Sequence, residues 1–190
     1  MKTVAIASQK GGTGKTTTAV HLATAATLAG YDAVVIDLDP QGSAATWGDD
    51  RGEAAPEVIS GQASRLNVLL ESAAREGFDL MVIDTGPAAD AAARRSAELA
   101  DLVLIPCRPS AFDLKAIRTT LDLVEATRTP AFVVLKCGAA HFKHERRYRH
   151  ADGKAYAETL TKIPYQARNP LSSKKARVQA TALGDCWIWY

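Results

Sequence analysis

Short apolar runs alternate with amphipathic stretches along the first two thirds of this chain. The runs are continuous rather than alternating, which is typical of strands covered on both faces by helices; they lie at 3–8, 33–38, 80–84, 102–107 and 131–135. Helical spacing of apolar residues predicts helices over 15–29, 66–76, 88–100 and 112–127. This order predicts an α/β fold, a mostly parallel, doubly wound sheet with helices on both faces.

Two regions interrupt that alternation. Residues 39–56 contain two prolines and three glycines, which predicts a loop. After Lys136 the pattern weakens, although 153–162 and 173–189 have the composition of helices, the second with Trp187 and Trp189 near its end. With 190 residues, we expect one domain over 1–190 whose last part, 138–190, is divergent or shortened.

Composition removes several classes of protein. No apolar run reaches the 18 residues of a membrane span, and the first residues lack the apolar core of a signal peptide, so a cytoplasmic location is expected. The three cysteines form no CxxC pair, which argues against a zinc or iron–sulfur site. Charge is lopsided: 141–190 holds 10 Lys/Arg and 4 Asp/Glu, whereas the whole chain has a net charge of only +2. A basic region on an acidic body is a candidate anion-binding face, or simply a solvated surface.

The run QKGGTGKTT at 9–17 follows the first predicted strand and opens the first predicted helix. This is the context of a phosphate-binding loop, where glycines let main-chain N–H groups close around phosphate oxygens. Lys15 is expected to contact the β- and γ-phosphates, and the Thr16 hydroxyl to bind Mg²⁺. The remaining phosphate contacts are assigned to Gly11, Gly12, Thr13, Gly14 and Thr17.

The loop departs from the ordinary GxxxxGK[ST] pattern because Gln9 replaces its first glycine. Lys10 directly precedes the glycine pair instead, as in the deviant Walker A form KGGxGKT[TS]. Carboxylates follow the next two strands, Asp37 and Asp39 in IDLDPQG and Asp84 in MVIDTGP. Because ligands bind at the carboxyl ends of parallel strands, all three are expected to face the loop. Asp84 is the Walker B candidate for Mg²⁺, and Asp39 is a candidate to orient the attacking water and contribute to the metal site.

These motifs together resemble the ParA family of partitioning ATPases, within the ParA/MinD group, and the small plasmid-type members in particular. VIDLDPQGSAATW is similar to the family's switch I segment, VIDTGP to switch II, and LADLVLIPCRPSAFDLKAI to the strand and interface helix that follow. The resemblance covers residues 1–136 and implies an ATPase with ATP and Mg²⁺ as cofactors. Lys10, Lys15 and Asp39 would be its catalytic residues, with Lys10 reaching the partner's phosphates in an ATP-bound homodimer.

The same resemblance implies partners and a role. The dimer would bind DNA without sequence preference on the nucleoid, and a centromere-binding, ParB-like protein would stimulate hydrolysis, so that the cycle segregates plasmids or chromosomes or positions cargo. Candidate phosphate contacts are the clustered cations of the basic region: Lys143, Arg146, Arg147, Arg149, Lys174, Lys175 and Arg177.

The resemblance weakens after the fifth strand. Lys136 or Cys137 stands where the family has an asparagine that helps to recognise adenine, and 138–144 is too short for the family's next helix and strand. We interpret this as an internal deletion, which would leave a sheet edge exposed.

Three other functions stay open. A MinD-like membrane-surface ATPase would use 173–189 as an amphipathic helix, although packing of that helix on the domain is favoured and a membrane partner is not expected. A small-molecule synthetase would need a substrate pocket that 41–79 does not indicate. A degenerate member would no longer cycle its nucleotide.

Overall fold

A computed structural model describes residues 1–52, 54–87, 90–108, 110–136, 180–183 and 186–189. The strands of these segments are β1 Lys2–Ile6, β2 Ala33–Asp37, β3 Glu57–Ser60, β4 Leu80–Asp84, β5 Leu102–Cys107, β6 Ala131–Lys136, β7 Ala180–Leu183 and β8 Cys186–Trp189. The helices are α1 Lys15–Leu28, α2 Ser43–Asp49, α3 Leu66–Glu76, α4 Asp90–Leu99 and α5 Ala111–Thr127, with a 3₁₀ turn at Ala63–Arg65 before α3.

The described strands form one sheet in the order β3-β2-β4-β1-β5-β6-β8-β7. The first six are parallel to one another, and β8 and β7 continue the sheet antiparallel. Register places Ile6 of β1 opposite Asp84 of β4, and Asp37 of β2 opposite the same Asp84. The carboxyl ends of the three central strands therefore meet at one edge, as the predicted α/β fold requires.

Apolar residues cover both faces of this sheet. On one face α1 and α2 bury Ala19, Val20 and Ala44 against strand residues such as Val35 and Val82. On the other face α3, α4 and α5 pack their apolar sides onto the sheet through Leu66, Ala73, Ala93, Ala97, Ile117, Leu121 and Val124. Because helices cover both faces of the sheet, most successive side chains of its central strands are buried. This explains why these strands are continuous apolar runs in the sequence.

The expected loop at 39–56 is wrong in part, because it contains α2, and β3 was not predicted at all. Gly48 lies inside α2, where an added Cβ would approach the Val58 Cβ of β3 to 2.8 Å. This glycine permits a close helix–strand contact rather than marking a turn.

The expected helix at 173–189 is wrong wherever the structure describes it. Residues 180–183 and 186–189 are strands, and β8 pairs with β6 from Val133↔Trp189 to Lys136↔Cys186. The run CWIW has the aromatic and β-branched composition of a strand, and its pairing with neighbouring strands favours the extended conformation over a helix. The edge of β6 is therefore covered, which corrects the expected exposed edge. The predicted helix at 153–162, the adenine-side position 137 and the seven candidate DNA contacts lie outside the described residues.

No helix among the described segments has the length and apolar character needed to cross a membrane.

Candidate functional site

The loop between β1 and α1 wraps around the N-terminus of α1. Gly12 and Gly14 have φ values of 71° and 93°, a left-handed conformation that favours glycine. Gly14 is the residue before the first helical turn, and its carbonyl accepts from both the Thr18 N–H, at 2.9 Å, and the Thr18 hydroxyl, at 2.8 Å. No hydrogen bond within the described chain is donated by the main-chain N–H groups of residues 11–17. These donors and the helix dipole together form an anion-binding concavity.

Lys15, the first residue of α1, is buried with only 6% of its surface exposed. Its Nζ lies 3.5 Å from the carbonyl oxygen of Lys10, which also accepts from the Thr13 hydroxyl at 3.4 Å. Burial lowers the pKa of Lys15, and the nearby carboxylates of Asp84 and Asp39 offset part of that effect. An ammonium held in a dry loop with few partners gains strongly from an anionic ligand.

Asp84, at the end of β4, is fully buried, and neither carboxylate oxygen has a hydrogen-bond partner in the described chain. The pKa of Asp84 is raised to about 6, chiefly by burial and also by the charges of Asp37 and Asp39. The Thr16 hydroxyl and Lys15 oppose this rise. Thr16 thus lies near Asp84 without meeting hydrogen-bond geometry. A buried carboxylate without a donor needs a cation or a bound water to compensate it.

Asp37 and Asp39, two residues apart, have different surroundings. Asp37 is 2% exposed; its Oδ1 accepts from the Asp39 N–H at 3.0 Å, and its Oδ2 accepts from the N–H groups of Ala44 and Ala45 at 2.9 and 3.0 Å. Asp37 therefore caps α2 and is already satisfied. Asp39 is half-buried, with Oδ1 accepting from the Gln41 N–H at 3.0 Å. It is close enough to affect the pKa values of both Lys15 and Asp84.

Hydrogen bonds tie the strand ends together around these side chains. The buried Thr85 donates its hydroxyl to the Ile6 carbonyl at 2.8 Å, and the Leu38 N–H donates to the Asp84 carbonyl at 2.9 Å. The segments after β1, β2 and β4 are thus tied together at the edge of the sheet that borders the loop.

The side chain of Lys10 reaches α5. Its Nζ forms an ion pair with Oδ1 of Asp113, whose Oδ2 accepts from Arg108 Nε at 2.8 Å. Burial raises the pKa of Asp113, but the hydrogen bonds from Lys10 and Arg108 outweigh it and the pKa is lowered. Sequence reasoning missed Asp113 and Arg108 as site residues. The signal available was the acidic residue in the first turn of an amphipathic helix, which the Ser110 hydroxyl caps by accepting the Asp113 N–H at 3.1 Å.

The structure brings most of the predicted site residues to one place. The loop from Lys10 to Thr17, Asp39 and Asp84 all border the N-terminus of α1. No group of three or more His, Cys, Asp or Glu side chains in the described segments could hold a metal ion unaided. Mg²⁺ commonly takes one or two protein ligands, with several waters and phosphate oxygens. The unpartnered carboxylate of Asp84, the nearby Thr16 hydroxyl and the open N–H groups fit a phosphate ligand with a divalent cation.

Comparisons with known proteins agree with this geometry. The model of the family described as "CobQ/CobB/MinD/ParA nucleotide binding domain" matches residues 4–177. "Maintenance of carboxysome distribution protein A" of Gloeobacter kilaueensis is 40% identical over 121 residues, which is 63% of this chain and 55% of that protein. "Protein IncC" of Escherichia coli is 30% identical over 207 residues, covering 86% of this chain and 56% of that protein. The chain thus spans little more than half the length of these relatives.

Solved structures share the fold. A putative plasmid partition protein from Borrelia burgdorferi, bound to AMPPNP, superposes with a TM-score of 0.57 at 20% identity. The superposition covers 73% of this chain and 77% of that one. At this level of identity the likeness shows the architecture alone.

Proposed function

The chain belongs to the CobQ/CobB/MinD/ParA family of nucleotide-binding domains, and on this premise we propose that it is an ATPase that binds ATP with Mg²⁺. The observation that carries the proposal is the buried, unpartnered carboxylate of Asp84 beside Lys15 at the N-terminus of α1. A carboxylate and an ammonium kept close in a dry site, under a row of open N–H donors, suit a metal–triphosphate ligand.

Each loop residue has a role in binding. The N–H groups of residues 11–17 would hold the phosphate oxygens, and Lys15 would neutralise charge on the β- and γ-phosphates. Mg²⁺ would be held by the Thr16 hydroxyl, Asp84 and Asp39, directly or through water. When bound, the metal supplies Lewis-acid polarisation of the phosphates. Because the loop is preformed, these donors need little rearrangement on binding.

Hydrolysis needs a group that orients water. Asp39 is suited because it is half-buried and close to both Lys15 and Asp84, whereas Asp37 uses its oxygens to cap α2. The Gln41 N–H fixes Oδ1 of Asp39, which leaves its other oxygen for the water. Lys10 would stabilise charge on the transferred phosphoryl group of a second copy of the chain, in the manner of an arginine finger.

The proposed biological role is partitioning. Family membership alone does not select it, since the family description spans several activities, but the relative of Gloeobacter kilaueensis is named for carboxysome distribution. We propose that the ATP-bound homodimer binds DNA without sequence preference and that a ParB-like partner stimulates hydrolysis and release. The membrane-surface alternative loses its support, because the described part of its amphipathic helix at 173–189 is strand.

The test is binding to a random-sequence DNA duplex with ATP, with ADP and without nucleotide, each at low and moderate salt. We expect tight binding with ATP alone that weakens steeply as salt rises. The matched variants are Lys15→Ala and Asp84→Asn, both of which should lose the ATP response. Mg-ATP binding without any DNA binding would keep the ATPase and remove the DNA carrier. Failure of folded protein to bind Mg-ATP would remove both.

A further inference from the structure

Asp113 lies outside the phosphate site, yet it is the side chain that holds Lys10. Its carboxylate is 1% exposed, while Lys10 and Arg108 are 34% and 49% exposed. One buried anion is thus shared between two cations that each reach water. One cation is enough to compensate the charge of the Asp113 carboxylate, so one of the two can leave while the other remains.

We propose that Asp113 is a positioning residue that stores Lys10 within its own chain, and that Arg108 allows its release by keeping Asp113 neutralised when Lys10 leaves. The inference rests on the proposed function only for where Lys10 goes, namely to the phosphates of a second copy. The storage itself stands on the Lys10–Asp113–Arg108 contacts.

Release of Lys10 leaves Asp113 well compensated. Arg108 Nε still donates to Oδ2 at 2.8 Å, and the carboxylate stays in the first turn of α5, where the helix dipole favours negative charge. The Ser110 cap on the Asp113 N–H does not depend on Lys10. Without Arg108, by contrast, departure of Lys10 would leave a buried carboxylate with no cation, which is costly.

Substitutions of Asp113 and Arg108 should therefore have opposite effects on how firmly Lys10 is held. Asp113→Asn removes the charge that holds Lys10 and should free it. Arg108→Ala makes Lys10 the only cation on Asp113 among the side chains that the structure describes, and should hold Lys10 more firmly. A purely structural role for the cluster would instead make both variants change in the same direction.

The first arm measures storage without nucleotide. Trace labelling of the full chain with an amine-reactive reagent, read by mass spectrometry, gives the labelled fraction of Lys10 and of Lys2 separately. We expect about a fivefold rise in Asp113→Asn and a fall in Arg108→Ala, as for loss or gain of one ion pair. Asp101→Asn is the matched control: it removes the Lys2–Asp101 pair, at 3.2 Å, and should leave Lys10 unchanged. Unchanged Lys10 reactivity in Asp113→Asn overturns the proposal.

The second arm measures release. Sedimentation with a non-hydrolysable ATP analogue gives the dimer dissociation constant, expected to fall about fivefold in Asp113→Asn and to rise in Arg108→Ala. Shifts in the same direction for both variants overturn the release role of Arg108. If the wild type does not dimerise, the proposed function fails, while the labelling arm still decides whether Asp113 stores Lys10. Denaturant unfolding of each variant shows that the comparison is between folded proteins.

Discussion

At the scale of single residues, the buried carboxylate of Asp84 lowers the free energy of unfolding at neutral pH. Its pKa is raised from 3.8 to about 6 because burial disfavours the charged form. The unfolded chain releases this proton near pH 4 and the folded chain near pH 6. Between these values the unfolded state binds fewer protons, so the free energy of unfolding falls as pH rises. Above pH 6 the full cost is present, roughly 2–3 kcal/mol.

Asp84→Asn should therefore stabilise the protein at pH 7 without metal or nucleotide, by about 2 kcal/mol, and the gain should vanish below about pH 4. Urea unfolding of both proteins from pH 4 to pH 8 in EDTA measures it.

Asp101→Asn is the contrasting variant. The Thr3 N–H lowers the pKa of Asp101, and although burial raises it the net shift is downward, so this substitution should destabilise the protein at neutral pH. A less stable Asp84→Asn at pH 7 would show that Asp84 is compensated even without ligand.

At the scale of elements, Asp37 joins a strand to the helix that follows it. Asp37→Ala would leave the N–H groups of Ala44, Ala45 and Asp39 without their acceptor and should lower the free energy of unfolding by about 2–4 kcal/mol. Because Asp39 loses an anchor, ATP hydrolysis should fall as well. Asp39→Ala should instead reduce hydrolysis with stability changed by less than about 0.5 kcal/mol. Urea unfolding and phosphate release separate the two. Equal stability losses would contradict the division of roles between these aspartates.

Most elements could be predicted because local pattern and tertiary context agree in them. The hydrophobic periodicity of 66–76, 80–84 and 102–107, and the residues that flank these segments, indicate both their type and their ends. The structure gives α3, β4 and β5 the same bounds. The phosphate loop was equally accessible, since its glycines and lysines stand at a fixed spacing after a strand.

Other features depend on contacts between distant residues. The composition of 39–56 favours a loop, but the Asp37 carboxylate and the close contact of Gly48 with Val58 stabilise α2. The strands β7 and β8 exist through pairing with β6, which no local period reveals. Asp113 was missed for the same reason, because its partner Lys10 lies 103 residues away.

At the scale of the whole molecule, the proposed homodimer would make each chain's site one half of a catalytic unit. Lys15, Asp39 and Asp84 lie close enough to influence one another, while Lys10 forms an ion pair with Asp113 of α5. On the proposed function, such a chain would supply nucleotide binding and water orientation itself and would receive its second cation from another copy. Most soluble oligomers are symmetric, and a two-fold pairing would let each copy both give and receive Lys10.

Mixing two inactive variants tests this arrangement. Lys10→Ala keeps Lys15 and Asp39 but cannot donate its lysine, whereas Asp39→Ala holds nucleotide and donates Lys10 but cannot orient the water. Each alone should hydrolyse ATP at background rate. A 1:1 mixture should recover about a quarter of wild-type activity, since half of randomly formed dimers contain one complete site of two.

The result distinguishes two positions of Lys10. Recovery that grows with total protein concentration requires Lys10 to act on the other copy's nucleotide, because neither chain can complete a site alone. A mixture as inactive as its components, from variants that unfold like the wild type, would mean that Lys10 acts on its own phosphates. Lys10 would then have to leave Asp113 and turn back across the loop within one chain. The ion pair with Asp113 would in that case restrain catalysis directly, and Asp113→Asn would raise hydrolysis independently of protein concentration.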